Sequence, residues 1–276
     1  MIPFTFSYWQ PQTLKEAADA YMACEGRGEK PLYYGGGTEI ITMGRVNSLK
    51  FGAVIDLKAI PELSGLNREG DRLILGAAET LNSIARWNAF PLLTKCCSRV
   101  ADHTAQCKIT LGGNIAGTII YREAVLALLL AGATAELYGP QGARAVKLST
   151  LFSPKLALMP GEFFVRFSLD AGKAGLPFVH AKHVDSEKIG YPLFTLAAVR
   201  EKGVMKAAVS GLFPYPVLLE FPAANTEPDP ALLERQFHDQ LPGQPLSDVL
   251  GSGEYRLFRL KEALCDMMAR LKEEAH

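Results

Sequence analysis

No Cys-x-x-Cys pair occurs in this chain, and its five cysteines (Cys24, Cys96, Cys97, Cys107 and Cys265) form no ligand-like group with its five histidines. A protein-bound zinc ion or iron–sulfur cluster on this polypeptide is therefore not expected, and free thiols in a reducing cytosol are the plain reading. Long apolar runs are missing as well. The longest, residues 124–135, is too short to span a bilayer and reads as a buried helix. The opening MIPFTFSYWQPQTLKEAADAY has no basic stretch followed by an apolar core, so no secretory signal is expected there. An excess of either charge is absent: 29 Lys+Arg stand against 29 Asp+Glu. That balance removes the usual ground for proposing a nucleic-acid footprint, a polybasic membrane patch or an acidic tail. No Gly-Lys-Ser/Thr closes a phosphate loop, no Gly-x-Gly-x-x-Gly occurs, and no Ser-His-Asp or Cys-His constellation stands out.

What remains is a 276-residue chain, 48% hydrophobic and 21% charged, with the profile of a soluble globular protein large enough for two domains, and a cytoplasmic location is expected. Residues 4–9 alternate like a strand, and Thr13 with Glu16 three positions later predicts a capping box for a helix over 14–24. A buried strand over 31–34 runs into three glycines and a helix over 38–45, completing a small α/β unit. A strand over 53–57 follows, then a hairpin turning at 67–71, a helix over 81–87 capped by Thr80, the apolar helix over 123–131, and a second hairpin around 139–142. The composition shifts at 170–177, the best candidate for a boundary. Beyond it lie strands near 178–182, 193–200 and 204–211, a proline-rich passage over 213–230, and helices over about 231–241 and 255–272.

Two glycine motifs carry the chemistry. Tyr34-Gly35-Gly36-Gly37-Thr38-Glu39-Ile40 sits between a strand and a helix. Glycines there clear side chains from the approach path, and the helix start adds partial positive charge, so a phosphate or diphosphate is a fitting guest. A tight strand–helix turn is the competing reading. Thr110-Leu111-Gly112-Gly113-Asn114-Ile115-Ala116-Gly117 is too apolar for an exposed loop and, taken alone, reads as a buried β-corner.

Taken together, in this order, the two loops resemble the flavin subunits of the molybdenum hydroxylase family. AVIDLKAIPE (53–62), LILGAAETLNSIA (73–85) and GSGEYRLFRL (251–260) resemble further family segments, the last carrying a Ser-x-Glu-Tyr-Arg signature. The resemblance runs from about residue 4 to 270. It implies an α+β fold: a two-part FAD-binding region of the PCMH type, with a small α/β unit and a larger mixed or antiparallel sheet with helices. A small C-terminal α/β domain with a three-stranded antiparallel sheet and helices would follow. The implied divisions are 1–172, with subdomains of about 1–52 and 53–172, and 173–276.

By the same resemblance, Gly35, Gly36, Gly37, Thr38 and Glu39 would contact the FAD diphosphate through backbone and side-chain donors, with Ile40 lining the pocket. Thr110, Gly112, Gly113 and Asn114 would meet the diphosphate and the ribityl or flavin edge. Glu123 stands where the family commonly has an aspartate near the sugar or ring; a helix-start glutamate facing the dipole is the alternative. Lys182 falls close to a family lysine that approaches the isoalloxazine; a solvated strand lysine is the alternative. Tyr191 is a candidate to shield a ring face, or else an ordinary half-buried tyrosine. The chain departs from the family at residues 104–107, which replace Gln-Ile-Arg-Asn, and at Ile119-Ile120, which replace Ser-Pro.

The implied function is electron transfer. FAD on this chain would take electrons from the [2Fe-2S] clusters of a small partner subunit and pass them to NAD+ or another acceptor. A molybdopterin-binding large subunit would hydroxylate the organic substrate within a heterotrimer. No catalytic acid–base residue, metal ligand, nucleic-acid partner or membrane partner is expected on this chain. A stand-alone flavin reductase on the same fold and a scaffold subunit that has shed its cofactor are the alternatives.

Overall fold

Thr13 ends the stretch behind strand β1 (Ser7–Trp9) and starts helix α1 (Leu14–Gly26) in the computed structural model, which describes residues 1–152, 155–184, 190–222 and 230–273. The Thr13 hydroxyl accepts from the Glu16 N–H at 3.1 Å, and the Glu16 carboxylate accepts from the Gln12 N–H at 2.8 Å. The reciprocal half of the capping box therefore lands one residue earlier than the motif predicts. Strand β2 (Pro31–Tyr34), helix α2 (Thr38–Arg45) and strand β3 (Ala53–Asp56) complete a parallel three-stranded sheet. β3 lies in its middle, with Val54 opposite both Tyr8 and Leu32. This sheet runs past residue 52, where the resemblance sets the end of the small unit, to Asp56, because the last strand in sequence is the central one in space.

Two 3-10 turns, Leu57–Ala59 and Pro61–Leu63, lead into the hairpin of β4 (Leu66–Glu69) and β5 (Arg72–Gly76). Glu69 pairs with Arg72, so the turn is two residues long and most of the predicted 67–71 loop is strand. A helical layer follows: α3 (Leu81–Trp87), α4 (Pro91–Cys97), α5 (His103–Gln106), α6 (Leu111–Ala116) and α7 (Ala124–Leu130). Strands β6 (Thr134–Gly139), β7 (Gly142–Lys147) and β8 (Phe163–Asp170) then complete an antiparallel five-stranded sheet in the order β4-β5-β8-β6-β7.

Helix α8 (Ala171–Ala174), capped by the Asp170 carboxylate, turns the chain into a second antiparallel sheet. It consists of β9 (Phe178–His183), β10 (Phe194–Glu201), β11 (Val204–Ser210) and β12 (Val217–Phe221), in the order β12-β11-β10-β9. The fourth strand comes out of the proline-rich passage, whose stretch 223–229 lies outside the described residues. Helices α9 (Pro230–His238) and α10 (Gly253–Glu273) complete the described residues.

The period of two along β10 decides how the parts adhere. Leu196 and Ala198 point to the face where Leu260, Leu264, Met267 and Leu271 of α10 pack. Ala197 and Val199, with Ala208 of β11, join the core built around α7. Every residue of α7 is at most 5% exposed, so the helix is wrapped on all sides. Each fully buried leucine there contributes about 1.5–3 kcal/mol. Among the described residues no helix is long and apolar enough to cross a membrane.

Candidate functional site

Strand β2 delivers the chain into the first glycine loop, and Gly37, at φ +69°, turns it into α2. An L side chain there would be strained, and its Cβ would meet the Tyr34 ring at 2.1 Å. Gly37 offers no side-chain cap, and the first intrahelical bond runs from the Ile41 N–H to the Gly37 carbonyl at 2.9 Å. The N–H groups of Thr38, Glu39 and Ile40 are thus left without intrahelical acceptors at the positive end of the helix dipole.

The second motif is not the β-corner that it suggests in isolation. Thr110 caps α6 by accepting from the Gly113 N–H at 3.2 Å, and the two glycines and Asn114 lie within the helix. Tertiary bonds hold this glycine-weakened helix: Leu111 N–H donates to Glu79 O and Gly112 N–H to Ala77 O, each at 2.8 Å. Leu111 and Ile115 are fully buried beneath it.

Seventy-odd residues apart in the chain, the loops touch. A Cβ on Gly36 would lie 1.6 Å from the Lys108 carbonyl oxygen, and one on Gly35 would lie 2.4 Å from the Thr110 hydroxyl. Glu39 ties the far ends together, its carboxylate accepting from the Thr118 N–H at 2.9 Å and from the Thr118 hydroxyl. That carboxylate carries no donor, and a diphosphate would repel it. Its backbone N–H is the group left for an anion. The segment at 104–107 is tied back to the turn after α4: buried Gln106 donates to Val100 O at 2.9 Å and Ser98 O at 3.2 Å. Its turn also sets Lys108 O against Gly36. The segment around Ile119-Ile120 is held by Arg122, which donates to Gly117 O at 2.7 Å and Pro214 O at 3.0 Å. Ser210 adds a hydroxyl bond to Ile120 O at 3.0 Å.

Glu123 and Lys182 find each other. Their ion pair spans 2.7 Å with side chains 4% and 5% exposed, and Lys182 also donates to Arg99 O at 2.8 Å. Lys182 is therefore not a solvated strand lysine, and Glu123 makes no side-chain cap to α7. Burial pushes the Glu123 carboxyl up from its ordinary value, and Lys182 pulls it back. One Glu123 oxygen and the Thr195 hydroxyl make no hydrogen bond of ordinary geometry among the described residues, though Thr195 is near enough to help hold the carboxyl down. His180, two residues before Lys182, is lowered to about 4 by burial and by the nearby Lys95, Arg99 and Lys182 charges. Asn114 connects this pair to the second loop, its side-chain oxygen accepting from Ala124 N–H at 3.3 Å.

Tyr191 is 62% exposed and stacks on Tyr121 with ring centroids 5.0 Å apart. The structure thus brings residues 35–40 against 110–114, places Glu123 and Lys182 behind them, and leaves Tyr191 on the surface. Lys58, which lies within the 53–62 segment but was given no role there, and Thr118, which no motif in the sequence marks, join the glycine loops directly. Surface hollows of about 260 and 220 Å³ lie elsewhere, beside Met22 and Met159 and beside Tyr215 and Leu218.

Comparison with known proteins gives a consistent set of likenesses. The family described as the FAD binding domain in molybdopterin dehydrogenase matches residues 4–169. The carbon monoxide dehydrogenase medium chain of Afipia carboxidovorans is 26% identical over 205 residues, 72% of this chain and 69% of that one. The nicotinate dehydrogenase FAD-subunit of Eubacterium barkeri is 26% identical over 151 residues, 53% of this chain and half of that one (50%). Among solved structures, carbon monoxide dehydrogenase from Hydrogenophaga pseudoflava shares the fold with a TM-score of 0.84 at 22% identity over 98% of each chain. Quinoline 2-oxidoreductase from Pseudomonas putida 86 does so with a TM-score of 0.81 at 20% identity, covering 100% of this chain and 99% of that one.

Proposed function

This chain belongs to the family of FAD binding domains of molybdopterin dehydrogenases, and we propose that it is the FAD-carrying electron-transfer subunit of a molybdenum hydroxylase complex. One observation carries the reading. Unspent backbone donors at the start of α2 lie beside glycines that the second loop approaches too closely for any side chain. A diphosphate needs several N–H groups at short range with nothing between, and the residues present fit that need.

Bound FAD would take electrons from the [2Fe-2S] clusters of a partner subunit and pass them to NAD+ or another acceptor, while a molybdopterin-bearing subunit oxidised the organic substrate. The chain's own tasks are then to hold, orient and shield. Backbone N–H groups from Gly35 to Ile40 hold the diphosphate. Thr110, Gly112, Gly113 and Asn114 form the opposing wall, toward the ribityl chain and the flavin edge. Glu123 and Lys182, whose charges are spent on each other, act through the joint that Asn114 makes between α6 and α7. Tyr191 offers an exposed flat face for stacking. We place the division between the FAD-binding part and the C-terminal domain near residue 172. Asp170 is the last residue of the five-stranded sheet, and Phe178 is the first of the four-stranded one.

The test is purification of the tagged chain from its native host. Molybdenum, iron and FAD are expected to co-elute in constant proportion with one larger and one smaller polypeptide, and the reduced flavin to be reoxidised by an added acceptor, NAD+ first. A flavoprotein that elutes alone and free of both metals at every ionic strength would refute the subunit reading while leaving FAD binding intact.

A further inference from the structure

A peptide unit between two glycines has little to stop it turning over. The Gly35–Gly36 peptide heads the proposed diphosphate loop, and its orientation decides whether the loop shows an incoming anion a donor or an acceptor. Its carbonyl accepts a hydrogen bond from the Lys58 ammonium at 3.0 Å.

Lys58 is itself held. Its Nζ lies 2.7 Å from each Asp56 carboxylate oxygen and 4.4 Å from the centroid of the Tyr34 ring. Asp56 is 3% exposed and also accepts from the Tyr8 hydroxyl at 2.6 Å and the Lys58 N–H at 3.0 Å. Tyr8 is pushed up to about 12, chiefly by that hydrogen bond. The same Tyr34 ring lies directly against Gly37. An ammonium has three donors, and here three acceptors take them: two carboxylate oxygens and the Gly35 carbonyl. Its charge is matched by Asp56 at contact distance, so Lys58 is not arranged as a direct phosphate ligand.

We propose that Lys58 is a positioning residue: it pins the Gly35–Gly36 peptide so that the Gly36 N–H, rather than the Gly35 carbonyl, faces the bound diphosphate. In a planar trans peptide the C=O and N–H point opposite ways, so a carbonyl committed to Lys58 commits the N–H to the far side. The ammonium also polarises the peptide and strengthens that N–H as a donor. The inference rests on the FAD reading for the identity of the anion, but the pinning itself does not.

Two measurements on the full chain separate these. In Lys58→Met, FAD is expected to bind about tenfold more weakly or worse, the effect of one donor lost and an acceptor put in its place. Riboflavin, which lacks the diphosphate, is expected to bind the same as to the unsubstituted chain. Lys58→Arg, which can still reach Gly35 O and Asp56, is expected to recover most of the loss. Because Lys58→Met strands a buried carboxylate, Asp56→Asn/Lys58→Met serves as the companion variant should the single one fold poorly. In the flavin-free chain, 15N resonances of Gly35 and Gly36 should be single and sharp, then exchange-broadened in both methionine variants. Unchanged FAD affinity in a folded methionine variant would overturn the proposal. So would sharp, unmoved Gly36 resonances in that variant, a result that decides the matter even if the unsubstituted chain took up no FAD.

Discussion

Alanine at Gly36 is expected to cost the chain its FAD, with retention after desalting falling by at least about a hundredfold, the equivalent of about 3 kcal/mol of overpacking moved into the site. The backbone would tolerate alanine, since Gly36 is not among the glycines in the left-handed region. The obstacle is the Lys108 carbonyl, whose oxygen would lie 1.6 Å and whose carbon 2.6 Å from the new methyl. No rotamer relieves that clash, because the obstructing atoms are main chain. Nor can the segment easily retreat. Lys108 N–H and Ile109 N–H both donate to Ala105 O, at 2.9 and 2.8 Å, and Ile109 O accepts from Leu81 N–H at 2.9 Å. The loops must part, and the cradle opens with them. Gly35→Ala is expected to do less, because it meets the Thr110 side chain rather than backbone. Gly26→Ala, at the end of α1 with nothing within 4 Å, should leave FAD binding unchanged. Flavin-to-protein ratios and fluorescence titrations of the three variants check the order.

Arg256→Met is expected to lower stability by about 3–5 kcal/mol, the usual consequence of breaking a buried charged network. In a chain of this size that shifts the unfolding midpoint by roughly 10 °C. Arg256 is 0% exposed near the start of α10. Its guanidinium donates to Leu193 O, to Gly211 O at 3.0 Å and to the Asp248 carboxylate at 2.6 Å. Removing it leaves the Leu193 and Gly211 carbonyls unanswered and takes from the Asp248 carboxylate its only ion-pair partner among the described residues, where β10, β11 and the 245–252 loop converge. Lysine should not rescue the loss, because a single ammonium cannot span the geometry of the planar fork. Arg259→Met, by contrast, removes a half-exposed charge paired with Glu262 at 3.1 Å and should change stability by less than about 0.5 kcal/mol. Urea unfolding measures both. At saturating FAD, Arg256→Met should keep its flavin while folded, since its hydrogen bonds go to the ends of β10 and β11 and to the 245–252 loop rather than to either glycine loop. The Ser-x-Glu-Tyr-Arg signature would then mark a staple of the fold.

Where local chemistry decides a structure, the sequence was readable. Thr13 and Thr80 announce the starts of α1 and α3, and the run at 139–142 announces its hairpin. The first glycine loop was legible because a strand, three glycines and a helical pattern stand in sequence order. The second was not: Gly-Gly-Asn is poor helix material, and what makes it α6 is Thr110 together with bonds to Ala77 and Glu79. β8 escaped because both its faces are buried, so FFVRFSLD carries no alternation to read. β12 alternates in burial but not in sequence, because exposed Leu218 stands where a polar residue would mark the outer face, and the prolines around it suggest irregular chain. The Glu123–Lys182 pair and the grip of Lys58 on Gly35 join residues far apart in the chain, and no periodicity encodes such meetings.

The most direct test of the central claim, that the two glycine loops hold FAD on this chain, is a visible spectrum of the purified chain after incubation with FAD and desalting. The released flavin would be identified by chromatography. The account predicts a flavin band at close to one FAD per chain, absent from Gly36→Ala taken through the same procedure. A folded chain that retains no flavin, both alone and within the complex isolated from its native host, would contradict it.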